Sequence, residues 1–272
     1  MIQINFEDIT IDSLTANNQE TLAIVKEDEI FYIKIFLKGY SNKVVVFSNG
    51  ALDPEKKKPP VFMRESWIDD FDFNAIFIDD RTIHGKELKI GWGVGTPERH
   101  FLVDYSEIIK KVINELNFKN ENIFYYGSSA GGFMSMGLSS MHDKSTAIVN
   151  NPQTYVYNYF ESYVNDLVEK VFIDKNKNEV FKECAERFSI TALFKKYKRV
   201  PNVHYIQNRL CKSDMRNQYL PFLKIVDKYN VDATPINFIL YNNYKSGHNP
   251  LGKDDTLKII NSIINKDNII LN

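Results

Sequence analysis

Gly127-Ser128-Ser129-Ala130-Gly131 is the part of this chain whose residue types and spacing could do covalent chemistry. The five residues match G-x-S-x-G, in which the central serine sits at the tip of a sharp strand-to-helix turn and its hydroxyl stands clear of the backbone. Strand and helix must approach closely there, so small neighbours are required; Gly127, Gly131 and Gly132 supply them. The flanking texture agrees. NIFYYG (122–127) is a short apolar run of the kind buried on both faces of a sheet, and SSAGGFMSMGLSSM is small and apolar enough for a helix packed against one. Ser129 is therefore the candidate nucleophile for attack on an ester or thioester carbonyl, at the positive end of the helix that follows.

A serine hydroxyl is a weak nucleophile at neutral pH and needs a base, with an acid to orient it; beyond an elbow of this kind the acid precedes the histidine in the chain. Of the five histidines, only His204 and His248 follow Ser129 by enough chain to return on a later strand. His204 lies inside the run VHYIQN (203–208), whereas His248 lies in the loop YNNYKSGHNP after the last apolar run, INFILY (236–241). His248 is the candidate base. His84 and His100 precede the serine, and His142 stands where an imidazole caps a helix end, so none of these receives a catalytic role. Asp214 is the first carboxylate after residues 203–208 and is the candidate acid; Asp227 falls mid-helix and Asp232 precedes the last strand.

The developing oxyanion needs two backbone N–H groups. One is expected from Ala130 and the other from Ser48-Asn49-Gly50-Ala51, at Asn49 or Gly50. Ser128 and Trp92 are candidate substrate-lining residues. Trp92 belongs to GWGVGT (91–96), which does not lead from a strand directly into a helix and so is no dinucleotide fingerprint; we expect a flexible active-site loop with Trp92 as a wall.

These residues require elements to hold them. Strand texture marks 2–6, 21–25 and 29–37, an expected antiparallel start, followed by the buried runs VVVF (44–47) and AIFID (75–79). Leu102, Ile108, Ile109, Val112, Ile113 and Leu116 recur at helical spacing over 102–116. STAIVNN (145–151) ends at Pro152, and 153–200 is expected to insert two or three helices as a cap. The strands 203–208 and 236–241 precede helices over 215–229 and 252–265. Strands alternating with helices imply an α/β fold: a mostly parallel sheet covered on both faces, in one domain over 1–272.

Composition narrows the function classes. The chain has 272 residues, and 34 Lys+Arg against 35 Asp+Glu leave a net charge of −1, which offers no field for nucleic acid or an anionic membrane. EKKKPP (55–60) reads as a solvated loop, and the tyrosines at 155, 157, 159 and 163 as packing residues. Cys184 and Cys211 form no disulfide framework and lack metal-ligand spacing, so no metal is expected. The first residues carry no basic segment followed by an apolar stretch, and no run approaches the ~18 apolar residues of a membrane span. The expected location is cytoplasmic.

With YGSSAGG around Ser129, IVNNPQ at 148–153, QNRLCKSD ending at Asp214 and SGHN around His248, the chain resembles the α/β-hydrolase superfamily over nearly its full length. More specifically, it resembles bacterial surface-glycan enzymes: capsule O-acetyltransferases of α/β-hydrolase fold and accessory-secretion acetyltransferase-like proteins. The resemblance implies an acyl-enzyme on Ser129, with acetyl taken from a donor such as acetyl-CoA and passed to a sugar hydroxyl of a surface polysaccharide. It implies no tightly bound cofactor. The implied partners are a small-molecule acyl donor and a glycan acceptor, with a glycan-synthesis assembly or a second copy of the chain as protein partner. The same residues serve a carboxylesterase or deacetylase, and a non-catalytic partner of glycan synthesis or secretion is a third reading.

Overall fold

The computed structural model describes residues 1–228 and 232–267. Among them, nine strands form one sheet in the order β1-β2-β3-β5-β4-β6-β7-β8-β9. The strands are β1 (Ile2–Asn5), β2 (Thr21–Lys26), β3 (Glu29–Phe36), β4 (Val44–Phe47), β5 (Asn74–Ile78), β6 (Ile123–Ser129), β7 (Thr146–Pro152), β8 (Asn202–Asn208) and β9 (Ile236–Tyr241). From β5 across to β9 every pairing is parallel, as the strand-helix alternation implies.

The N-terminal strands depart from the expected antiparallel start. β2 pairs antiparallel with β3 and β3 with β5, but β1 runs parallel to β2, with Ile2 opposite Leu22. A short helix, α1 (Ile11–Ala16), returns the chain between them, nucleated by a capping box in which Thr10 accepts from the Ser13 N–H and the Ser13 hydroxyl accepts from the Thr10 N–H. Apolar alternation reports which side chains are buried and carries no strand direction.

The central strands are wholly apolar because helices cover both faces. Successive side chains alternate: Val44, Val46, Ile123 and Tyr125 face α2 (Phe101–Glu115) and α3 (Ala130–Met141), while Val45, Phe47, Phe124 and Tyr126 face α10 (Lys253–Asn265) and the rings of Phe71 and Phe73. Residues 153–200 hold four α-helices where two or three were expected: α4 (Glu161–Val171), α5 (Lys177–Glu183), α6 (Ala185–Phe188) and α7 (Ile190–Tyr197). The chain breaks at Cys184 between α5 and α6, and Ser189 caps α7. Val164, Leu167, Phe188, Ile190 and Phe194 bury with Phe133, Met136 and Val149, so these helices are fused into the main core. The expected helix over 215–229 begins earlier, as α8 (Lys212–Asp214), passes through one π turn at Met215–Tyr219 and continues as α9 (Leu220–Lys228). Tyr229 lies outside the described residues. No helix among the described residues is long and apolar enough to cross a membrane.

Candidate active site

β6 delivers Ser129 to the carboxyl edge of the sheet with φ 54° and ψ −123°, a backbone state that non-glycine residues rarely adopt. The neighbours explain how it is held. A Cβ on Gly127 would lie 2.1 Å from the Gly131 carbonyl oxygen, and one on Gly131 would lie 2.6 Å from the Ser48 carbonyl oxygen. The strand end, the first turn of α3 and the loop after β4 are therefore in contact, and only glycine fits.

Ser129, His248 and Asp214, 119 and 34 residues apart, meet here. His248 Nδ1 lies 2.7 Å from Asp214 Oδ2, and His248 Nε2 lies 2.9 Å from Ser129 Oγ. An ionised carboxylate only accepts, so the Nδ1 proton faces Asp214 and Nε2 is left to accept from the serine hydroxyl. Asp214 is buried and closes α8, directly beyond β8. The other histidines are elsewhere: His142 bonds Tyr125 and Asn120 at the end of α3, and burial pushes His100 down to about 3, so it stays neutral. Burial pushes the nearby Cys211 thiol up, away from a reactive thiolate.

Gln153, at the end of IVNNPQ, reaches the candidate nucleophile. It is fully buried, its main-chain N–H donates to the Ser129 carbonyl oxygen at 3.1 Å, and its side-chain Nε2 stands 3.0 Å from Ser129 Oγ. The orientation of this amide follows from its other neighbour. The Trp92 indole N–H, a donor only, points at Gln153 Oε1, so Nε2 must be the atom turned to the serine. The two asparagines before it hold the histidine loop: Asn151 Nδ2 donates to the carbonyls of His248 and Asn249, and Asn150 Oδ1 accepts from the Leu251 N–H.

Trp92 is thus not the wall of a flexible loop. It is fully buried, and Asp80 fixes its turn by accepting from the N–H groups of Thr82 and Gly93. Burial raises Asp80 to about 6, against the pull of those hydrogen bonds. Ser128, expected to line the substrate site, is also buried, and its hydroxyl accepts from Arg64 Nη2. Asp79 performs for the β4 loop what Asp80 does for Trp92: its carboxylate accepts from Asn49 Nδ2 at 3.0 Å. Asn49 also donates to the Val61 carbonyl and accepts from the Met63 N–H, so its side chain is committed to holding the loop. The Gly50 N–H points at the Met63 sulfur, 3.2 Å away. Tyr159 stands over the site, its ring centroid 6.3 Å from that of His248, and burial raises its phenol to about 12.

No family model and no curated protein sequence matches this chain. Solved structures do. The capsule O-acetyltransferase of Neisseria meningitidis serogroup A superposes with a TM-score of 0.64 at 14% identity, covering 87% of this chain and 91% of that one. A structure of a mutant of that protein in complex with CoA gives 0.62 at 17% identity, over 86% and 94%. A carboxylesterase from Lactobacillus plantarum gives 0.56 at 11%, over 90% and 94%. The glycosylation-associated Gap123 complex of Streptococcus agalactiae also matches, at 0.56 and 13%, over 79% of this chain and 40% of that one. At such identities the likeness establishes architecture: this chain has the α/β-hydrolase fold. Acetyltransferases, esterases and peptidases are among the enzymes that share it.

Proposed function

We propose that the protein is a serine-dependent acyltransferase that acetylates a bacterial surface polysaccharide. The observation that carries this reading is the unbroken hydrogen-bond chain from Asp214 through His248 to Ser129, at 2.7 and 2.9 Å. His248 Nε2 takes the hydroxyl proton as Ser129 Oγ attacks the carbonyl carbon of an acetyl donor such as acetyl-CoA, and Asp214 stabilises the imidazolium that forms. The Ala130 N–H, at the N-terminus of α3, faces the developing oxyanion. Gly50 supplies the second N–H once the oxyanion displaces the Met63 thioether, a weak acceptor. The leaving thiolate takes the proton back from His248, which leaves an acetyl-enzyme on Ser129. A sugar hydroxyl then gives its proton to His248 as its oxygen attacks the acetyl carbon; the bond from that carbon to Ser129 Oγ breaks, His248 returns the proton to Oγ, and the sugar ester departs.

Gln153 adds a donor that the sequence did not reveal. Its Nε2–H holds the Ser129 oxygen in place before attack, and as Oγ becomes an ester oxygen the same N–H stands beside the tetrahedral centre. The solved acetyltransferase and its CoA complex support transfer, and the solved carboxylesterase supports hydrolysis as the second reading, in which water replaces the sugar hydroxyl.

Intact-mass measurement after incubation with acetyl-CoA decides between them. Transfer predicts an adduct of about 42 Da, one acetyl on the nucleophile, absent from Ser129→Ala and discharged by added polysaccharide. An adduct lost to water at the same rate with and without glycan would favour the esterase. No adduct and no aryl acetate turnover in folded protein would sink both readings, leaving a non-catalytic partner in glycan synthesis or secretion.

A further inference from the structure

One cation, bonded to the residue before Ser129, has no counter-ion among the described residues. Arg64 opens the turn Glu65–Asp70 with φ 69°, and its Nη2 donates to Ser128 Oγ at 2.7 Å, one residue from the candidate nucleophile. Met63, the residue before it, receives the Gly50 N–H, so Arg64 also borders the loop that supplies the oxyanion donor. The guanidinium lies over the rings of Tyr126 and Trp67, with centroids 5.0 and 5.6 Å away, which orient it without neutralising it.

Arg81 pairs with Glu29, and Arg99 with Glu27, Asp28 and Asp104. Arg187, also without an ion pair among the described residues, spends Nη1 and Nη2 on the carbonyls of Val94, Thr96, Pro97 and Arg99. Arg64 forms no ion pair among the described residues. The acidic residues of its own turn are engaged elsewhere, Glu65 with Lys34 and Asp70 with Lys253. Its Nη2 bonds a neutral hydroxyl, and its Nε and Nη1 are buried with no acceptor among the described residues. A guanidinium offers five N–H donors and a permanent charge, and a half-buried one without a counter-ion is unfavourable unless an anion reaches it. The net charge of −1 makes this positive group a local feature rather than part of a basic surface.

We propose that Arg64 is the anion anchor of this site and receives a carboxylate or phosphate carried by the sugar substrate, whose hydroxyl or ester is thereby set beside Ser129. The proposal rests on Ser129 as the reacting residue for its placement. A planar guanidinium matches both anions, each able to take over the bond now made to Ser128. The substrate class becomes an acidic glycan, a uronic-acid or phosphate-bearing polymer, rather than a neutral one.

Titration calorimetry of the full chain with glucuronate, glucose 6-phosphate and glucose tests this without requiring turnover. One or both anions should bind wild-type protein about tenfold or more tighter than glucose, the range of one charge-assisted hydrogen bond, and the preferred anion identifies the group. Arg64→Met should erase that preference, and Arg64→Lys should retain part of it. Arg64→Gln keeps a donor for Ser128 while removing the charge, and should also erase the preference if the methionine variant fails to fold. Equal affinity for all three ligands, or a preference that survives loss of the charge, overturns the proposal. Aryl acetate turnover and its loss in Ser129→Ala are measured separately, so failure of the serine reading is seen independently of failure at Arg64.

Discussion

The elbow at Gly127–Gly132 and the clamp around it, made of Arg64, Asp79, Asp80, Trp92 and Gln153, are built on different principles. The elbow is local: a strand, a strained serine and a helix within a few residues, kept possible by glycines whose Cβ atoms would collide with backbone. The clamp is assembled from segments 13 to 64 residues apart, through buried and half-buried hydrogen bonds from side chain to side chain and from side chain to backbone. Geometry at the elbow is enforced by sterics, whereas geometry in the clamp depends on partners that a single substitution can remove. The elbow should therefore govern whether chemistry occurs, and the clamp how well it is aimed.

The sharpest break of that contrast is Ser129→Ala, which should lower aryl acetate turnover on the order of 10⁶-fold if the three residues act as a unit. Asp214→Asn keeps the shape but no longer demands the Nδ1 proton, so about 10⁴-fold is expected, with an unchanged melting temperature as the control. In the clamp, Gln153→Leu should cost on the order of 10²-fold in kcat, as loss of one donor at a reacting centre does. Trp92→Phe removes only the group that fixes the Gln153 amide, and about tenfold or less is expected; a Trp92 effect larger than that of Gln153 would reverse the proposed order of action.

The smallest effect is a pH dependence of stability. His100 is held neutral to about 3 by burial and by the nearby cations Arg187 and Lys196, so the unfolded chain, near 6.5, takes up the proton first and stability falls as pH drops through that window. Asp80 has the opposite sign: its folded value of about 6 lies above the unfolded 3.8, so the folded state binds the extra proton and gains stability as pH falls from 6 toward 4. Urea midpoints should show His100→Gln flattening the acid loss and Asp80→Asn steepening it. If neither variant changes the slope between pH 4 and 6.5, burial at these two positions has been assigned the wrong energetic weight.

The candidate site was legible in the sequence where the expected chemistry follows chain order. Ser129 carried a five-residue signature, and Asp214 and His248 could be placed because each follows a recognisable strand. Gln153 carried no such signal: a glutamine after a proline says nothing about what its side chain meets, and only the donor-only indole of Trp92 reveals which way the amide points. Trp92 itself was misplaced because glycines around an aromatic suggest exposure, while the buried carboxylate of Asp80 that closes its turn lies 12 residues upstream. Arg64 sat unmarked among ordinary charged residues.

Among the elements, apolar runs located the strands and helical spacing located α2 to within a residue, but β1 took a direction that alternation does not encode. The sequence by itself determined the alternation of strands and helices, the strained serine and the order of its candidate partners, because those follow from local sterics and side-chain period. Which carboxylates would be buried to hold the loops, which amide would face the candidate nucleophile and which acceptors Arg64 would meet were decided only by tertiary structure. Hydrogen bonds and ion pairs between distant segments depend on distances that exist only after the chain has packed.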